Sequence, residues 1–296
     1  MTAAQPRMQR PTRHMKLRRR PVDRTLLLIL VLLLLAGLLT LFSATYYQAQ
    51  DGGDALREVK QQLIGIAVGM ALMALTLRIP YDFWRRPVVV VCGLGLSLTL
   101  LVLVLIPGIG VSLNGSRRWL NLAGLSFQPS ELAKPTVVLY MAATLSYQRE
   151  KVTRFFRGIV PLMLMPAVFF LVILQQPNLS TAGCVVIVST LMVLLAGAKW
   201  RHLSLMGVCG LIVGFAYAWS EPYRRERLLS FRDPFAQMSD EGYQLAQSLI
   251  AIGSGGLFGR GLGQGRQKFS YLPYPESDFI FAIVGEDFGL AGCMLV

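Results

Sequence analysis

Long runs of apolar, uncharged residues recur along this chain and constrain its fold more than any other feature. Each run is close to the roughly 20 residues that a helix needs to cross a bilayer. With 54% hydrophobic and only 15% charged residues, the 296-residue chain is too apolar for a soluble domain. We therefore predict an all-α polytopic membrane protein. Its seven complete transmembrane helices are expected at about 25–45, 61–77, 87–107, 129–147, 158–174, 179–198 and 203–220, and an eighth begins at residue 279.

The chain divides into a basic tail, 1–24, and a transmembrane domain, 25–296. A loop of about 221–277 separates the seventh and eighth apolar runs and is far longer than a connector requires. Residues 243–251 in this loop alternate polar and apolar side chains as an amphipathic helix at the membrane interface would. The eighth run stops at Val296, so we expect a C-terminally truncated piece of a longer protein.

Lys and Arg are unevenly distributed between the loops, and cationic loops stay on the cytoplasmic side. If the basic tail is cytoplasmic, the inner segments hold 17 of these residues and the short outer loops hold four. The sequence therefore predicts a cytoplasmic N-terminus and an outer position for the loop 221–277. The net charge of +13 then reflects topology and attraction to anionic lipids, and no nucleic-acid partner is expected.

This topology excludes several kinds of site. His14 and His202 fall on the cytoplasmic side, which excludes histidine catalysis or a histidine metal site outside. The glycine-rich run 253–265 lacks the Gly-Lys-Ser/Thr ending of a phosphate loop and faces a compartment without ATP. We interpret its glycines as positions where the backbone turns tightly or approaches a ligand closely, with a plain flexible loop as the alternative.

Polar groups concentrate in three clusters at the outer face. In the first, residues 114–134, Arg117 and Arg118 carry guanidinium groups that match phosphate or carboxylate oxygens. Glu131 and Lys134 are three residues apart, so they share one helix face. They are either a structural pair or functional groups, because ionisable residues inside a membrane are costly to keep.

The second cluster, residues 175–183, contains Gln176 and Asn178 and by itself resembles a helix cap and turn. The third is the loop 221–277, which ends at two carboxylates, Glu276 and Asp278, directly before the eighth apolar run. It opens with a cationic group that is either a headgroup-bound patch or part of a site: Arg224, Arg225, Arg227 and Arg232.

Four stretches carry a family resemblance: "NGSRRWLNL…SFQPSELAK", "QPNLSTA", "GYQLAQSLIAIGSGGLFGRGLGQGRQK" and "YLPYPESDFIFAIVGEDFG". They resemble the signature blocks of the SEDS family (shape, elongation, division and sporulation), and the likeness is nearest to its cell-division branch, FtsW. The resemblance runs in register from about residue 25 to the end. It implies a bacterial inner-membrane protein, at the division septum, with peptidoglycan glycosyltransferase activity on lipid II. The implied partners are a class B penicillin-binding protein and other divisome proteins.

The resemblance also implies roles for individual residues. Asp278 stands at the aspartate of the family's Asp-Phe-Ile-Phe motif and would be the catalytic residue. This chain departs from the family pattern at Asn178, Ser180, Arg232, Tyr274 and Ser277. No metal ligands are expected, and the candidate substrate-binding residues are Arg117, Arg118, Trp119, Glu131, Lys134, Gln176, Arg227, Lys268 and Glu276.

The chemistry of such a reaction explains why acidic groups would stand directly before the outer end of a membrane helix. Outside the cytoplasm there is no nucleotide triphosphate, so the donor must already be activated, as a polyprenyl diphosphate sugar is. Asp278 would take the proton of the attacking sugar hydroxyl, and direct displacement inverts the anomeric centre. Cationic side chains would stabilise the leaving diphosphate. The sequence establishes no cofactor, although this chemistry is compatible with a divalent cation, Mg²⁺ or Mn²⁺.

Two other functions stay open. A lipid II flippase or transporter would also use Glu131 and Lys134, but it needs polar groups along the inner half of the membrane as well. The inner halves of the predicted spans are nearly free of ionisable residues. A non-catalytic divisome scaffold would make the ionisable residues structural and replaceable.

Overall fold

The helices and strands are taken from a computed structural model, which describes residues 22–46, 56–113, 116–122, 125–148, 152–220, 225, 233–235, 241–269, 271–273 and 276–296. The helices are α1 (Arg24–Thr45), α2 (Arg57–Arg78), α3 (Tyr81–Trp84), α4 (Pro87–Leu105), α5 (Pro129–Gln148), α6 (Val160–Leu174), α7 (Leu179–Leu195), α8 (Trp200–Trp219), α9 (Glu241–Gly255) and α10 (Ile280–Leu295). A π-helical turn, Phe155–Ile159, leads into α6. The strands are β1 (Gly110–Leu113), β2 (Ser116–Leu122) and β3 (Leu125–Phe127).

Each of the eight apolar runs predicted from the sequence lies on one of these helices, namely α1, α2, α4, α5, α6, α7, α8 and α10. Within the described residues, four helical stretches are long and apolar enough to cross a membrane: Arg24–Thr45, Arg57–Arg78, Pro87–Leu105 and Phe155–Leu174. Helix α7 is apolar but shorter. The count of seven complete spans therefore stays a prediction, whereas several apolar helices of spanning length are present. The amphipathic segment 243–251 lies within α9, as a helix.

The expectation of an all-α fold was wrong in one place. Residues 110–113, 116–122 and 125–127 form a three-stranded antiparallel sheet in the order β1-β2-β3, with Val111 paired to Trp119 and Leu120 paired to Phe127. This segment connects α4 to α5. Its strands are three to seven residues long and pair with their immediate neighbours in the chain, so their signal is much weaker than that of a 20-residue apolar run.

Local residue chemistry sets where several helices begin. The Asp23 carboxylate caps α1 by accepting from the backbone N–H groups of Thr25 and Leu26, at 2.9 and 3.2 Å. Helix α4 starts with Pro87, whose missing N–H is not needed in the first turn. The Asn178 side chain caps α7 by accepting from Thr181 N at 3.2 Å. The cap-and-turn interpretation of this stretch is therefore confirmed.

The described residues form two compact units, one within residues 1–68 and 227–296 and the other within residues 69–226. In the second unit, α4 packs on α5 and α6 packs on α7. The buried side chains of its core include Leu101, Met141, Phe169, Ile173 and Val193. In the first unit, α9 and the end of α1 pack against α10. Its core is small and is made by Ala44, Ala251, Leu272, Ala282 and Ile283.

Candidate active site

Asp278 lies in a turn, 276–279, that leads directly into α10. Its side chain is exposed, and Glu276 is partly exposed. Helix α10 starts at Ile280, and the backbone N–H of Ala282 donates to the carbonyl of Phe279 at 2.9 Å. The expected position of Asp278 at the mouth of an apolar helix is thereby confirmed, while its catalytic role stays a prediction.

Helix α10 can approach α9 closely because glycines face each other. A Cβ on Gly255 would overlap the carbonyl of Gly285. Gly289 breaks the helical backbone of α10 with a φ of 68°, and a Cβ there would overlap the backbone of Gly259. This left-handed conformation favours glycine, so the sequence "GEDFG" (285–289) is shaped by packing as well as by charge.

The glycine-rich run folds along this break in α10. Gly256, Gly259, Gly261 and Gly263 all have positive φ, between 57° and 98°. The N–H groups of residues 260 and 261 donate to the carbonyls of residues 286 and 287 at 2.9 and 3.0 Å, and the N–H of residue 290 donates to the carbonyl of residue 256 at 2.9 Å. The tight turns expected for these glycines are confirmed, and their close approach is to α10.

A carboxylate of α10 is held by the backbone that follows the glycines. Glu286 is 1% exposed, and its Oε1 accepts from Arg266 N at 2.6 Å and from Gln267 N at 3.3 Å. Its Oε2 accepts from Gln267 N at 3.2 Å. The backbone N–H groups after the glycines therefore cradle an anion, as a phosphate loop does, but the anion is a side chain of the same protein.

The next residue, Asp287, forms a buried ion pair. Lys268 Nζ lies 3.0 Å from Asp287 Oδ1, and both side chains are fully buried. Ser43 Oγ, near the end of α1, donates to Asp287 Oδ2 at 2.7 Å and accepts from Lys268 Nζ at 2.9 Å. Lys268, a candidate substrate ligand, is therefore fully engaged by protein groups in this structure, and its contact with substrate stays a prediction.

Sequence reasoning missed Ser43, Glu286 and Asp287. A usable signal existed for the two carboxylates, because they stand within an otherwise apolar run, where ionisable residues are expensive and therefore informative. Ser43 carried no comparable signal, since a lone serine in an apolar helix is common. Its role follows only from its contact with a residue 244 positions away.

In the second unit, Glu131 and Lys134 form an ion pair, as their spacing indicated. Lys134 Nζ lies 2.7 Å from Glu131 Oε2, and the side chains are 35% and 54% exposed, respectively. Lys134 also lines a small, mainly apolar cavity of about 20 Å³ with Val137, Val185 and Ser189. That space corresponds to about one water molecule.

The two neighbouring arginines of β2 have different surroundings. Arg117 is exposed. Arg118 donates from Nε to the carbonyl of Gln176 at 2.9 Å and from its terminal nitrogen to the carbonyl of Pro177. Gln176 is itself buried, and its amide donates to the carbonyl of Leu101 at 3.0 Å. Arg118 thus ties β2 to the turn between α6 and α7, and anion binding by either arginine stays a prediction.

Several other predicted residues can be placed only in part. Trp119 is partly buried on β2, opposite Val111. The cationic group at the start of the long loop falls almost wholly outside the described residues, including Arg227, and so does Tyr274. Arg225 is described, and its guanidinium carbon lies 5.8 Å from the centre of the Trp219 ring. In the part of the chain that the structure describes, no three His, Cys, Asp or Glu residues come together as a metal site would require.

Comparison with known proteins identifies the family. Residues 23–296 match the FtsW/RodA/SpoVE family, described as cell cycle proteins, and the chain belongs to this family. It is 38% identical over 278 residues to stage V sporulation protein E of Bacillus subtilis, covering 93% of this chain and 75% of that protein. It is 36% identical over 275 residues to the probable peptidoglycan glycosyltransferase FtsW of Geobacter sulfurreducens, covering 93% and 73%. The SEDS resemblance of the sequence motifs is confirmed.

Solved structures share the fold. A chain of a peptidoglycan synthase complex that coordinates polymerization and crosslinking has a TM-score of 0.66 at 24% identity, covering 92% of this chain and 73% of that chain. A variant of the rod shape determining protein RodA of Thermus thermophilus has a TM-score of 0.56 at 25% identity, covering 92% and 69%. Together with the apolar helices, the family and the shared fold make this chain a multi-pass membrane protein.

Proposed function

We propose that this chain is a peptidoglycan glycosyltransferase that polymerises lipid II into glycan strands during septal cell-wall synthesis. The observation that carries the proposal is the position of the family's Asp-Phe-Ile-Phe aspartate. Asp278 is exposed in the turn that opens α10, within a chain that matches the family from residue 23 to residue 296. A relative that is 36% identical is itself named a probable peptidoglycan glycosyltransferase.

In the proposed reaction, Asp278 acts as the general base. A hydroxyl oxygen of the acceptor sugar attacks the anomeric carbon of the donor sugar, and its proton passes to the Asp278 carboxylate. The bond from the anomeric carbon to the diphosphate oxygen breaks, and polyprenyl diphosphate leaves with the electron pair. One base is enough for this displacement, which inverts the anomeric centre. Glu276 is only two residues away in the same turn, so it is poorly placed to act as a nucleophile from the opposite face.

The other candidate residues fit supporting roles. Arg117 is the exposed cation of β2 and is suited to an anionic diphosphate. Glu131 and Lys134 neutralise each other at 2.7 Å, yet both remain partly accessible, so a ligand can compete for either group. Arg227 keeps the substrate-binding role that the family resemblance implies. No step of the proposed mechanism requires a metal ion.

A lipid II polymerisation assay with the full-length protein and its partner tests the proposal. Asp278→Asn keeps the shape of the side chain but removes the proton acceptor, so its rate is expected to fall by about 100- to 10,000-fold. Lipid II binding and expression should remain near the parent values. Glu276→Gln is the matched control in the same turn and is expected to lose much less.

The outcomes separate the alternatives. If Asp278→Asn polymerises at the parent rate while Glu276→Gln is inactive, the base is misassigned by two residues. If both variants polymerise at the parent rate, neither carboxylate is the base, and the mechanism proposed for this turn is wrong. If the parent and the Asp278→Asn variant both move labelled lipid II across vesicle membranes at the same rate, the flippase is favoured instead. If the parent does not polymerise lipid II but still recruits its partner to the septum, a scaffold is favoured.

The proposed partner is a class B penicillin-binding protein, as the family resemblance implies, together with other divisome proteins. A transpeptidase that crosslinks the product would use each new glycan strand as it emerges. The proposed location is the inner membrane at the septum, with the N-terminus in the cytoplasm. Copurification with the partner and septal fluorescence of a tagged protein would test these two points.

A further inference from the structure

Three buried polar side chains of the first unit are not used by the proposed reaction. Lys268 follows the glycine-rich run, Asp287 lies on α10 and Ser43 lies near the end of α1. Lys268 Nζ donates to Ser43 Oγ at 2.9 Å and to the two oxygens of Asp287 at 3.0 and 3.2 Å. Ser43 Oγ donates to Asp287 Oδ2 at 2.7 Å, which closes the cluster. Each charged group therefore has its partners inside the protein.

Stability alone is a weak reason for this arrangement. Replacing a buried ion pair by apolar side chains of similar volume is often neutral or even stabilising. A polar cluster in which every group is hydrogen-bonded instead fixes the relative positions of the three segments, because its hydrogen bonds form in only one arrangement of them. A function that depends on geometry is therefore the better explanation for Lys268 and Asp287.

The position of the cluster in the chain indicates which geometry it controls. Lys268 and Asp287 are 19 residues apart. Asp278 lies between them, ten residues after the lysine and nine before the aspartate. The ion pair thus closes the segment 268–287 into a loop that carries Asp278 near its midpoint. Ser43 ties this closed loop to α1.

Neighbouring contacts hold the base of the loop in one register. The Glu286 carboxylate binds the backbone N–H groups of Arg266 and Gln267, directly before Lys268. The N–H of Leu272 donates to the carbonyl of Gln267 at 2.9 Å, and the Leu272 side chain is buried in the core of the unit. Consecutive carboxylates of α10 therefore bind consecutive residues of the chain before the turn, while Asp278 itself remains exposed.

We propose that Lys268, Asp287 and Ser43 are positioning residues that hold Asp278 in the geometry needed for proton transfer. The inference rests on the proposed function. In this role Lys268 acts through Asp287 and does not bind the substrate. Displacing a reacting group by about 1 Å can cost about 100-fold in rate, so the cluster should affect turnover more than lipid II binding.

The first test separates positioning from stability with a paired replacement, Lys268→Met with Asp287→Leu, in the full-length protein with its partner. Lys268→Met alone should lower the Tm, because it leaves Asp287 buried without its cation. The double variant should regain the parent Tm, yet its kcat for lipid II polymerisation should stay about 10- to 100-fold low, with KM near the parent value. If Tm and kcat recover together, the cluster is only structural and the proposal is overturned.

The second test leaves the ion pair intact. Ser43→Ala removes only the tie to α1, and we expect kcat to fall by about 3- to 10-fold with an unchanged KM. Thr40→Ala is the matched control, since Thr40 is a buried hydroxyl of the same helix that donates only to the Ala36 carbonyl, at 2.8 Å. Thr40→Ala should keep the parent kcat.

If Ser43→Ala keeps the parent kcat, the proposal is overturned. This test remains decisive even if the double variant does not fold. The parent protein is the control that separates this inference from the proposed function. An inactive parent contradicts the glycosyltransferase proposal. An active parent whose variants keep the parent kcat contradicts the positioning role alone.

Discussion

At the scale of single residues, two lysines face carboxylates in different surroundings. Lys268 and Asp287 are fully buried, whereas Lys134 and Glu131 are 35% and 54% exposed. Removing one partner of a buried pair leaves an uncompensated charge, which typically costs about 3–5 kcal/mol. Glu131 and Lys134 lie in the first two turns of α5, at the end of the predicted span, where water can screen the pair; a screened pair contributes about 0–1 kcal/mol.

We therefore predict that Lys268→Met lowers the free energy of unfolding several times more than Lys134→Met does. Methionine keeps most of the side-chain volume in both cases, so the two substitutions differ mainly in the burial of the carboxylate left behind. Unfolding of the purified protein in detergent, followed by denaturant or temperature, measures both. Equal losses would contradict the burial argument.

Two glycines of α9 give a second residue-scale prediction. A Cβ on Gly255 would overlap the carbonyl of Gly285, whereas a Cβ on Gly253 would meet no atom within 4 Å. Gly255→Ala should therefore push α9 away from α10 and cost about 1–3 kcal/mol. Gly253→Ala, in the same helix, should be neutral or stabilising by up to about 1 kcal/mol, because alanine favours helix more than glycine does. The Tm should fall in Gly255→Ala and should stay at the parent value or rise in Gly253→Ala.

At the scale of secondary-structure elements, Arg118 connects β2 to the turn between α6 and α7. Its planar guanidinium donates to two adjacent backbone carbonyls, of Gln176 and Pro177. A lysine at this position cannot reproduce this fork, so Arg118→Lys should lose about 1–2 kcal/mol of stability. Arg117→Lys, on the next residue of the strand but exposed, should change stability by less than about 0.5 kcal/mol.

A comparison of Tm values tests this difference. If Arg118→Lys is as stable as Arg117→Lys, the link to the turn contributes nothing measurable. If Arg118→Lys is stable but polymerises poorly, the substrate-binding role expected from the sequence is favoured over the structural one.

The elements differ in how far the sequence predicts them. The helices follow from apolar runs that extend over many residues, and the first run, predicted from about residue 25, matches α1, which begins at Arg24. The sheet 110–127 was missed because its strands are short. The turn carrying Asp278 was located because an acidic pair directly precedes an apolar run. The partners of Lys268 could not be identified, since Ser43 is 225 residues away and only the folded chain brings them together.

At the scale of the whole molecule, the candidate residues are divided between the two units. Asp278 and the Lys268 cluster belong to the unit formed by residues 1–68 and 227–296, and Arg118, Glu131 and Lys134 belong to residues 69–226. Within the first unit, Ser43 lies two residues before the end of α1 and binds Asp287 on α10. Ala44, the next residue of α1, shares a core cluster with Ala282 in the first turn of α10, and Phe279 packs against this cluster. The start of α10 therefore lies near the end of α1. If the basic tail is cytoplasmic, Asp278 faces outward.

This connection makes the orientation a test of the mechanism. The bias of 17 inner against four outer Lys and Arg predicts that position 151 is cytoplasmic and position 237 is outside. Both positions lie outside the described residues. A reporter that works only outside the cytoplasm should be silent after Lys151 and active near Gln237, and a reporter that works only in the cytoplasm should show the opposite pattern at the same two positions. If the reporters place either position on the opposite side of the membrane, Asp278 does not face the compartment where glycan strands are built. The proposed reaction at this site is then wrong.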